Sequence, residues 1–272
     1  MPELPEVETI RRQLTPRVEG ATITDAGAHP SAKFHPAIEA VGSTIDGVRR
    51  RGKYLLFDLD GPDDDDAREL IVHLGMTGRL AAVDTTALDD PYLRAWWRLD
   101  GRRLLTFHDV RRFGRVHVVA AGDHAGIPTL AALGPEPFDE AFTGRTLHDA
   151  VRASSRHLKT QLLSQRPVAG VGNIYADEAL WLARINPATR RLSVGRADRL
   201  VEAIREALTS GLDHGGTTLR DYVDTDGRRG TNQHRLHCYG RWGEPCERCG
   251  TELRRRVLDA RTTTWCPACQ AR

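Results

Sequence analysis

The 272-residue sequence has no run approaching the roughly 18 apolar residues that a membrane span requires, so no transmembrane helix is expected. Its first residues, Met1-Pro2-Glu3-Leu4-Pro5-Glu6-Val7-Glu8, are too acidic and too poor in apolar side chains for a secretory signal peptide. Net charge is small, at +2, and by itself argues for no partner. Cysteine is scarce: there are five, four of them in the last 27 residues. That is not a disulfide scaffold; it points to a reducing compartment and a metal. No internal repeat is visible. What remains is the composition of an ordinary soluble globular chain, 40% hydrophobic and 28% charged. Its length suits one large or two modest domains with real cores.

Charge and periodicity are unevenly placed. Residues 235–272 carry eight Arg against four acidic residues. Asp63-Asp64-Asp65-Asp66, after Gly61-Pro62, reads as a solvated acidic loop between strands. In 5–14, Val7, Ile10 and Leu14 recur at helical spacing with Arg11 and Arg12 on the other side. Short β-like runs follow at 44–49, 54–59, 69–74, 96–99, 103–107 and 115–119, separated by Gly, Asp and Pro clusters, the pattern of a β-sandwich or barrel. Leu133-Gly134-Pro135-Glu136-Pro137 is a linker candidate. Beyond it the pattern becomes helical, at 147–153, 158–164, 174–183 and 197–212, the last with Leu200, Ile204, Leu208 and Leu212 in register. Residues 226–233, rich in Gly and Arg, read as a mobile loop, and the chain closes in a compact cysteine module.

The opening residues carry chemistry of their own. Proline at position 2 permits removal of Met1, which leaves a secondary amine at the chain end. An α-amino group titrates near roughly 7.7–8.0, against about 10.4 for lysine, so roughly a tenth of it is free base at pH 7. Attack by a secondary amine on a sugar C1′ or a carbonyl carbon must give a charged iminium, because the nitrogen has no second proton to lose. An iminium is the electron sink a lyase needs. Glu3 is tethered beside it as a general acid. The competing reading is structural: Pro2 and Pro5 simply open a helix, where proline is tolerated.

Cys246-x2-Cys249, sixteen residues, then Cys266-x2-Cys269 is the strongest spacing signal. Each pair can chelate one ion from a tight knuckle, and the intervening segment can form a β-hairpin that returns the second pair to the first. Four thiolates favour one tetrahedral Zn²⁺ with no open position, a structural site to which so small a domain owes much of its fold. A redox pair is the alternative. Cys238 falls outside the spacing and reads as a free thiol. Arg254-Arg255-Arg256 and Arg261 lie between the pairs, where a zinc-pinned hairpin would clamp phosphates; for the first three a solvated basic face is the other reading.

Three further motifs are turn-like. Gln165 to Glu178 joins two helices through a turn containing Gly170 and Gly172, whose N–H groups and following helix N-terminus suit a phosphate, or simply a helix–helix turn. Arg51-Gly52-Lys53-Tyr54 places a lysine at the start of a strand. His73-Leu74-Gly75-Met76-Thr77-Gly78 and Arg111-Arg112-Phe113-Gly114 set large side chains beside glycines. An enzyme that extrudes a base must fill the gap in the stack with such wedges; taken singly, Met76 and Phe113 read as core residues.

In combination these motifs resemble one family, the bacterial formamidopyrimidine-DNA glycosylase and endonuclease VIII group of base-excision repair enzymes. The likeness runs through Pro2-Glu3-Leu4-Pro5-Glu6, the Lys53, His73 and Arg111 motifs, Leu133-Gly134-Pro135-Glu136-Pro137 and Val171-Gly172-Asn173-Ile174-Tyr175. It continues through Gly215-Gly216-Thr217-Thr218-Leu219 and Tyr239-Gly240-Arg241 into the cysteine module, essentially the whole chain in family order. The resemblance implies an α+β multidomain fold. An N-terminal β-sandwich with flanking helices would span 1–131, a helix-two-turns-helix domain with a lesion loop 132–236, and a β-hairpin zinc finger 237–272, with DNA in the cleft between them. It implies a monomer in the bacterial cytoplasm, at the nucleoid, acting on double-stranded DNA with damaged bases or abasic sites. It also implies one structural zinc on Cys246, Cys249, Cys266 and Cys269.

The activity implied is that of a bifunctional glycosylase and abasic-site lyase. Pro2 would attack C1′ and expel the base, Glu3 would protonate the opening deoxyribose, and β- and δ-elimination would leave a gap with phosphates at both ends. Lys53 would bind phosphate and assist proton transfer, Arg261 would be the finger arginine, and Asn173 the phosphate-binding turn residue. Met76, Arg111 and Phe113 would occupy the vacated space, with Arg111 facing the orphaned base. His73, Arg112 and Lys159 would make further DNA contacts.

Leu4 and Tyr239-Gly240-Arg241 favour the branch acting on 8-oxoguanine and formamidopyrimidines; the endonuclease VIII branch, which takes oxidised pyrimidines, usually carries Gly where Leu4 stands. Some positions depart from the family. Residues 225–236 have the length of a loop covering a flipped 8-oxoguanine, yet Thr231 and Asn232 stand where an aromatic is common. Tyr92 and Arg94 fall where histidines are frequent, Ser154 where a DNA-contacting lysine is, and Ser164 where Asp is common. These bear on lesion preference and DNA affinity. A catalytically silent damage-sensing DNA binder and a zinc-ribbon protein acting on RNA are the alternative functions. Pro2 and Glu3, which a binder does not need, argue against the first.

Overall fold

The helix expected at 5–14 starts one residue earlier and runs further, as α1 (Leu4–Val18), in the computed structural model, which describes residues 1–61, 67–84 and 88–271. Its start is set by a reciprocal capping box in which the Glu3 side chain accepts from the Glu6 N–H and the Glu6 carboxylate accepts from the Glu3 N–H at 2.8 Å. Pro5 lies in the first turn, where its missing N–H costs nothing. Val7, Ile10, Leu14 and Val18 are buried, forming one apolar stripe.

Eight strands follow: β1 (Ile23–Ala28), β2 (Thr44–Arg51), β3 (Tyr54–Asp60), β4 (Arg68–His73), β5 (Arg79–Val83), β6 (Leu93–Leu99), β7 (Arg103–His108) and β8 (Arg115–Ala120). They form two antiparallel four-stranded sheets, ordered β2-β3-β4-β8 and β1-β6-β7-β5. Leu55, Phe57 and Leu59 of β3 alternate into one core with Trp97, Leu105 and Phe107 of the second sheet and the α1 stripe. This is the expected sandwich. The two-residue turn Gly52-Lys53 joins β2 to β3, with Gly52 at the φ of +56 that a primed hairpin turn demands. The six anticipated runs correspond to β2, β3, β4, β6, β7 and β8. Nothing in the sequence marks β1 and β5, since Ile-Thr-Asp-Ala-Gly-Ala and Arg-Leu-Ala-Ala-Val carry little apolar alternation. Both lie at the edges of their sheet, where pairing overrides weak propensity. The acidic run 63–66 and Arg272 lie outside the described residues.

The chain groups into two compact units, Met1–Ala131 with Gly215–Thr231, and Ala132–His214 with Asn232–Arg272. The first ends its N-terminal part in the short α2 (Pro128–Ala131). In it the stretch expected to be a mobile loop is tied down: Asp224 Oδ1 accepts from the N–H groups of Asp226 and Arg228, and Gly230 N–H donates to Thr218 Oγ1 at 2.9 Å.

The second unit contains α3 (Gly144–Arg152), α4 (Leu158–Leu163), α5 (Asn173–Leu182), α6 (Val194–Asp213) and a hairpin of β9 (Arg254–Leu258) and β10 (Arg261–Trp265). Leu200, Ile204 and Leu208 of α6 are buried as expected, whereas Leu212 is half-buried. The linker candidate 133–137 is docked rather than free. Gly134 N–H donates to the Gln165 carbonyl and Ala169 N–H to the Pro135 carbonyl, both at 2.9 Å. Among the described residues no helix is long and apolar enough to cross a membrane.

Candidate functional site

In the first unit the expected reacting groups lie at the start of α1 and the tip of the β2–β3 hairpin. Pro2 is buried and Met1 is 48% exposed. With Met1 attached the Pro2 nitrogen is an amide whose lone pair is delocalised, so it becomes a nucleophile only once Met1 is gone. Glu3 is buried and its backbone is fixed by the capping box. Glu6, which sequence reasoning left without a role, organises this corner. Its Oε2 accepts from Glu3 N–H and its Oε1 from Thr217 N–H at 2.6 Å, with the residue 1% exposed. Gly216, at φ +92, permits the approach, since a β-carbon there would come within 2.9 Å of Glu6 Cγ and 2.8 Å of the Tyr222 ring. The Gly215-Gly216-Thr217-Thr218 motif is thus the backbone that receives Glu6. The available signal was a second acid three residues after the first at a helix start. Burial, with the Glu6 carboxylate nearby, raises the Tyr222 phenol well above its usual range.

Lys53 is buried and its charge reaches His73. Desolvation first, then repulsion from Lys53, Arg115 and His117, lowers the His73 pKa to about 4, so this imidazole is neutral at pH 7. Its Nδ1 accepts from Gly75 N–H at 3.2 Å, and its ring lies 4.7 Å from that of Tyr54. His73 can therefore offer a phosphate a neutral N–H but no charge.

The wedge candidates sit on two loops that Asp109 binds together. This fully buried carboxylate accepts from Thr77 Oγ1 at 2.5 Å, Arg111 N–H at 3.2 Å and Gly114 N–H at 2.7 Å. A β-carbon on Gly75 would lie 2.5 Å from Gly114 N, so the two backbones touch. Met76, Arg111 and Phe113 are thereby brought onto adjacent loops. Phe113 is 47% exposed, against the core reading, and the Arg111 guanidinium stacks 4.6 Å over its ring. Arg112 is exposed, at φ +55, with its carbonyl accepting from Lys33 Nζ at 2.9 Å. Arg94 is not available for DNA: it is buried, donating to the carbonyls of Asp109 and Pro91 at 2.8 Å each. Tyr92 is exposed.

In the second unit Gln165 holds the two-glycine turn. Its Oε1 accepts from Gly170 N–H at 2.8 Å, its amide donates to the Val171 carbonyl, and Gly170 takes φ +83. Gly172 caps α5, and Asn173 is the first residue of that helix. The Asn173 amide nitrogen is 3.5 Å from the Tyr239 hydroxyl, a weak contact, and its Oδ1 is buried with no hydrogen-bond partner. Glu178, on the same helix, accepts from the N–H groups of His237, Cys238 and Tyr239 at 2.8, 2.9 and 2.7 Å. Burial pushes its pKa up even so.

Lys159 corrects an expectation. It was anticipated as a DNA contact, but it is 1% exposed, and its ammonium lies 2.7 Å from Asp177 Oδ1, 2.8 Å from the Thr262 carbonyl and 3.0 Å from Thr263 Oγ1. The ammonium donates to Thr262 and Thr263 and pairs with the Asp177 carboxylate, so its charge is balanced inside the protein. Burial outweighs this pairing at Asp177, whose pKa is pushed up to about 7.

The Sγ atoms of Cys246, Cys249, Cys266 and Cys269 lie within 4.8 Å of one another. Zn–S bonds of about 2.3 Å in a tetrahedron need sulfurs roughly 3.8 Å apart, so the four thiols fit one Zn²⁺. Their knuckles are preset: Gly250 N–H donates to the Cys246 carbonyl at 2.8 Å and Gln270 N–H to the Cys266 carbonyl at 3.0 Å. The module holds one structural zinc. Cys238 is a free thiol buried beneath it, donating to the Thr264 carbonyl at 3.1 Å. Of the hairpin arginines, Arg256 is engaged internally, stacked 4.6 Å over Trp265 and bonded to Asn186 Oδ1 at 3.1 Å. Arg254, Arg255 and Arg261 are exposed, with Arg255 lying 4.2 Å over Trp242.

Comparison with known proteins agrees with this construction. Residues 1–116 match the family model of the formamidopyrimidine-DNA glycosylase N-terminal domain, 133–223 that of the formamidopyrimidine-DNA glycosylase H2TH domain, and 243–272 that of the zinc finger found in FPG and IleRS. The formamidopyrimidine-DNA glycosylase of Deinococcus radiodurans is 46% identical over 99% of this chain and 97% of its own. The crystal structure of the MutM (Fpg) protein from Thermus thermophilus has a TM-score of 0.89 at 46% identity, covering 99% of this chain and 98% of that one. A Lactococcus lactis Fpg mutant in complex with a Fapy-dG-containing DNA has a TM-score of 0.88 at 34% identity over 100% of both chains. Sandwich, helical region and four-cysteine finger occur here in one order along one chain, and the protein belongs to the formamidopyrimidine-DNA glycosylase family of DNA-repair enzymes.

Proposed function

We propose that the protein excises oxidised and ring-opened purines from duplex DNA and then cleaves the strand at the resulting abasic site, with the amine of Pro2 as nucleophile. The observation that carries this reading is the fixed corner at the start of α1. Glu6 holds the Glu3 and Thr217 N–H groups at once, so the residue before the helix cap has a defined place. The Pro2 lone pair bonds to C1′ as the bond from C1′ to the base breaks. Glu3 delivers a proton to the ring oxygen, the sugar opens, and a C1′ iminium results. Loss of a C2′ proton then expels the 3′ phosphate, and a second elimination releases the 5′ phosphate. Lys53 assists these proton transfers and binds phosphate.

On this reading 1–131 does the chemistry, 132–236 grips the backbone through Asn173 and covers the lesion, and 237–272 presents Arg261. Met76, Arg111 and Phe113 fill the space the damaged nucleotide leaves, with Arg112 and His73 on the flanking backbone. Zinc, when bound, has no open position and fixes the hairpin only.

Borohydride reduction on duplexes carrying a ring-opened guanine or an abasic site is expected to trap a covalent adduct at residue 2. Retention of Met1 verified by mass spectrometry, or chemical blocking of the terminal amine, is expected to abolish trapping; undiminished yield from either rules out the nucleophile. A panel of defined lesions scored for cleavage and end chemistry decides the branch, since preference for oxidised pyrimidines overturns the purine assignment.

A further inference from the structure

Arg261 follows the two-residue turn that joins β9 to β10. Asp259 and Ala260 both occupy the left-handed region, at φ +45 and +64. A primed two-residue hairpin turn requires this and is normally built from Asn-Gly or Asp-Gly, because a β-carbon is strained there. With Ala in the second position the turn lacks that relief, and support comes from the start of α4. Thr160 Oγ1 donates to Asp259 Oδ2 at 2.5 Å, and His157, the residue before that helix, reaches the same oxygen from Nδ1 at 3.3 Å. Arg190 Nη2 lies 3.4 Å from His157 Nε2. A guanidinium can only donate, which makes Nε2 the acceptor and leaves a proton on Nδ1 directed at Asp259. Beyond Arg261, Lys159 donates to the Thr262 carbonyl and Thr263 hydroxyl. Residues 157–160 therefore grip the hairpin on both sides of the arginine, while Arg261 itself is exposed.

We propose that Asp259 is a positioning residue for Arg261. Through Thr160 and His157 it holds the hairpin tip so that the guanidinium meets a DNA phosphate without first having to be ordered. This rests on the assignment of Arg261 as a DNA contact made under the proposed function. The alternative physics has the opposite sign: a carboxylate two residues from a phosphate-binding arginine, with no tethering role, repels DNA, and its removal tightens binding.

The test uses the zinc-loaded full chain and a duplex bearing a tetrahydrofuran abasic analogue. Asp259→Ala, and Thr160→Val, which leaves the turn sequence intact, are expected to speed amide exchange across 258–262. Each is expected to weaken binding roughly tenfold, the lower end of what losing one hydrogen bond to a charged group costs. Asp259→Asn, still an acceptor for Thr160, is expected to recover most of the loss, with one zinc per chain throughout. Arg261→Ala is expected to lose at least as much, and the Asp259→Ala/Arg261→Ala double variant no more than Arg261→Ala alone. Unchanged exchange in Asp259→Ala, tighter binding, or losses that add in the double variant overturn the proposal. If Arg261→Ala binds like the unaltered protein, the Arg261 assignment fails and the positioning role with it, while the exchange rates still report whether the tether exists.

Discussion

The two units of this protein solve one problem with different amounts of apolar material. In each, a buried carboxylate takes backbone N–H groups from a segment far along the chain: Glu6 takes that of Thr217 together with that of its neighbour Glu3, and Glu178 those of His237, Cys238 and Tyr239. Around Glu6 stands a sandwich core holding Phe57, Trp97 and Phe107 among many aliphatic side chains. The buried cluster beneath the finger holds Trp181, Leu253 and Cys238 with two of the metal-binding thiols, Cys246 and Cys266. A carboxylate that ties together segments far apart in sequence, as these two do, stays dry only where something else has already excluded water. In the sandwich that is the apolar core; in the finger it is the metal with its ligands.

The sharpest way to break the comparison is to remove the zinc. Structural zinc in small fingers contributes roughly 10–16 kcal/mol of apparent binding free energy at pH 7. Chelation, or Cys266→Ala, is expected to unfold the finger and abolish DNA binding, while calorimetry still shows cooperative melting of the sandwich. If both units melt together, the sandwich does not stand on its own core. A smaller effect tests the other side. Phe57→Ala, at a fully buried position, is expected to cost about 3–5 kcal/mol, read as a lower denaturation midpoint, with zinc content unaltered.

Acid sharpens the contrast further. The folded pKa of His73 lies near 4, below its ordinary 6.5, so the unfolded chain binds a proton that the folded chain refuses. The stability His73 contributes is complete above about pH 6.5 and is lost as pH falls toward 4, a change on the order of 3 kcal/mol by linkage. Denaturant titrations of the protein and of His73→Gln between those pH values should diverge in slope, the variant being the flatter. Parallel curves would mean that His73 titrates normally in the fold.

Much of the architecture was legible beforehand because its signals are local. An apolar run bounded by Gly, Asp and Pro clusters marked β3, and a two-plus-two cysteine spacing marked the zinc site. The edge strands β1 and β5 were not visible, since an edge strand rich in Ala owes its conformation to the neighbour it pairs with. Among the site residues, Phe113 was ambiguous between wedge and core, and exposure decides for the surface. Nothing near Lys159 in sequence shows that Asp177 and Thr262 wait for its ammonium. Arg94, counted as a departure bearing on DNA, is a support for the Asp109 loop.

From the linear sequence alone came the class of fold, the four metal ligands and the family, since periodicity, short-range spacing and motif order need no third dimension. Only the tertiary structure decided which charged groups face outward and which are consumed within. A long cation or a carboxylate settles wherever its acceptors or donors lie, and Thr217, Thr262 and Thr160 stand 211, 103 and 99 positions from Glu6, Lys159 and Asp259, which they hold.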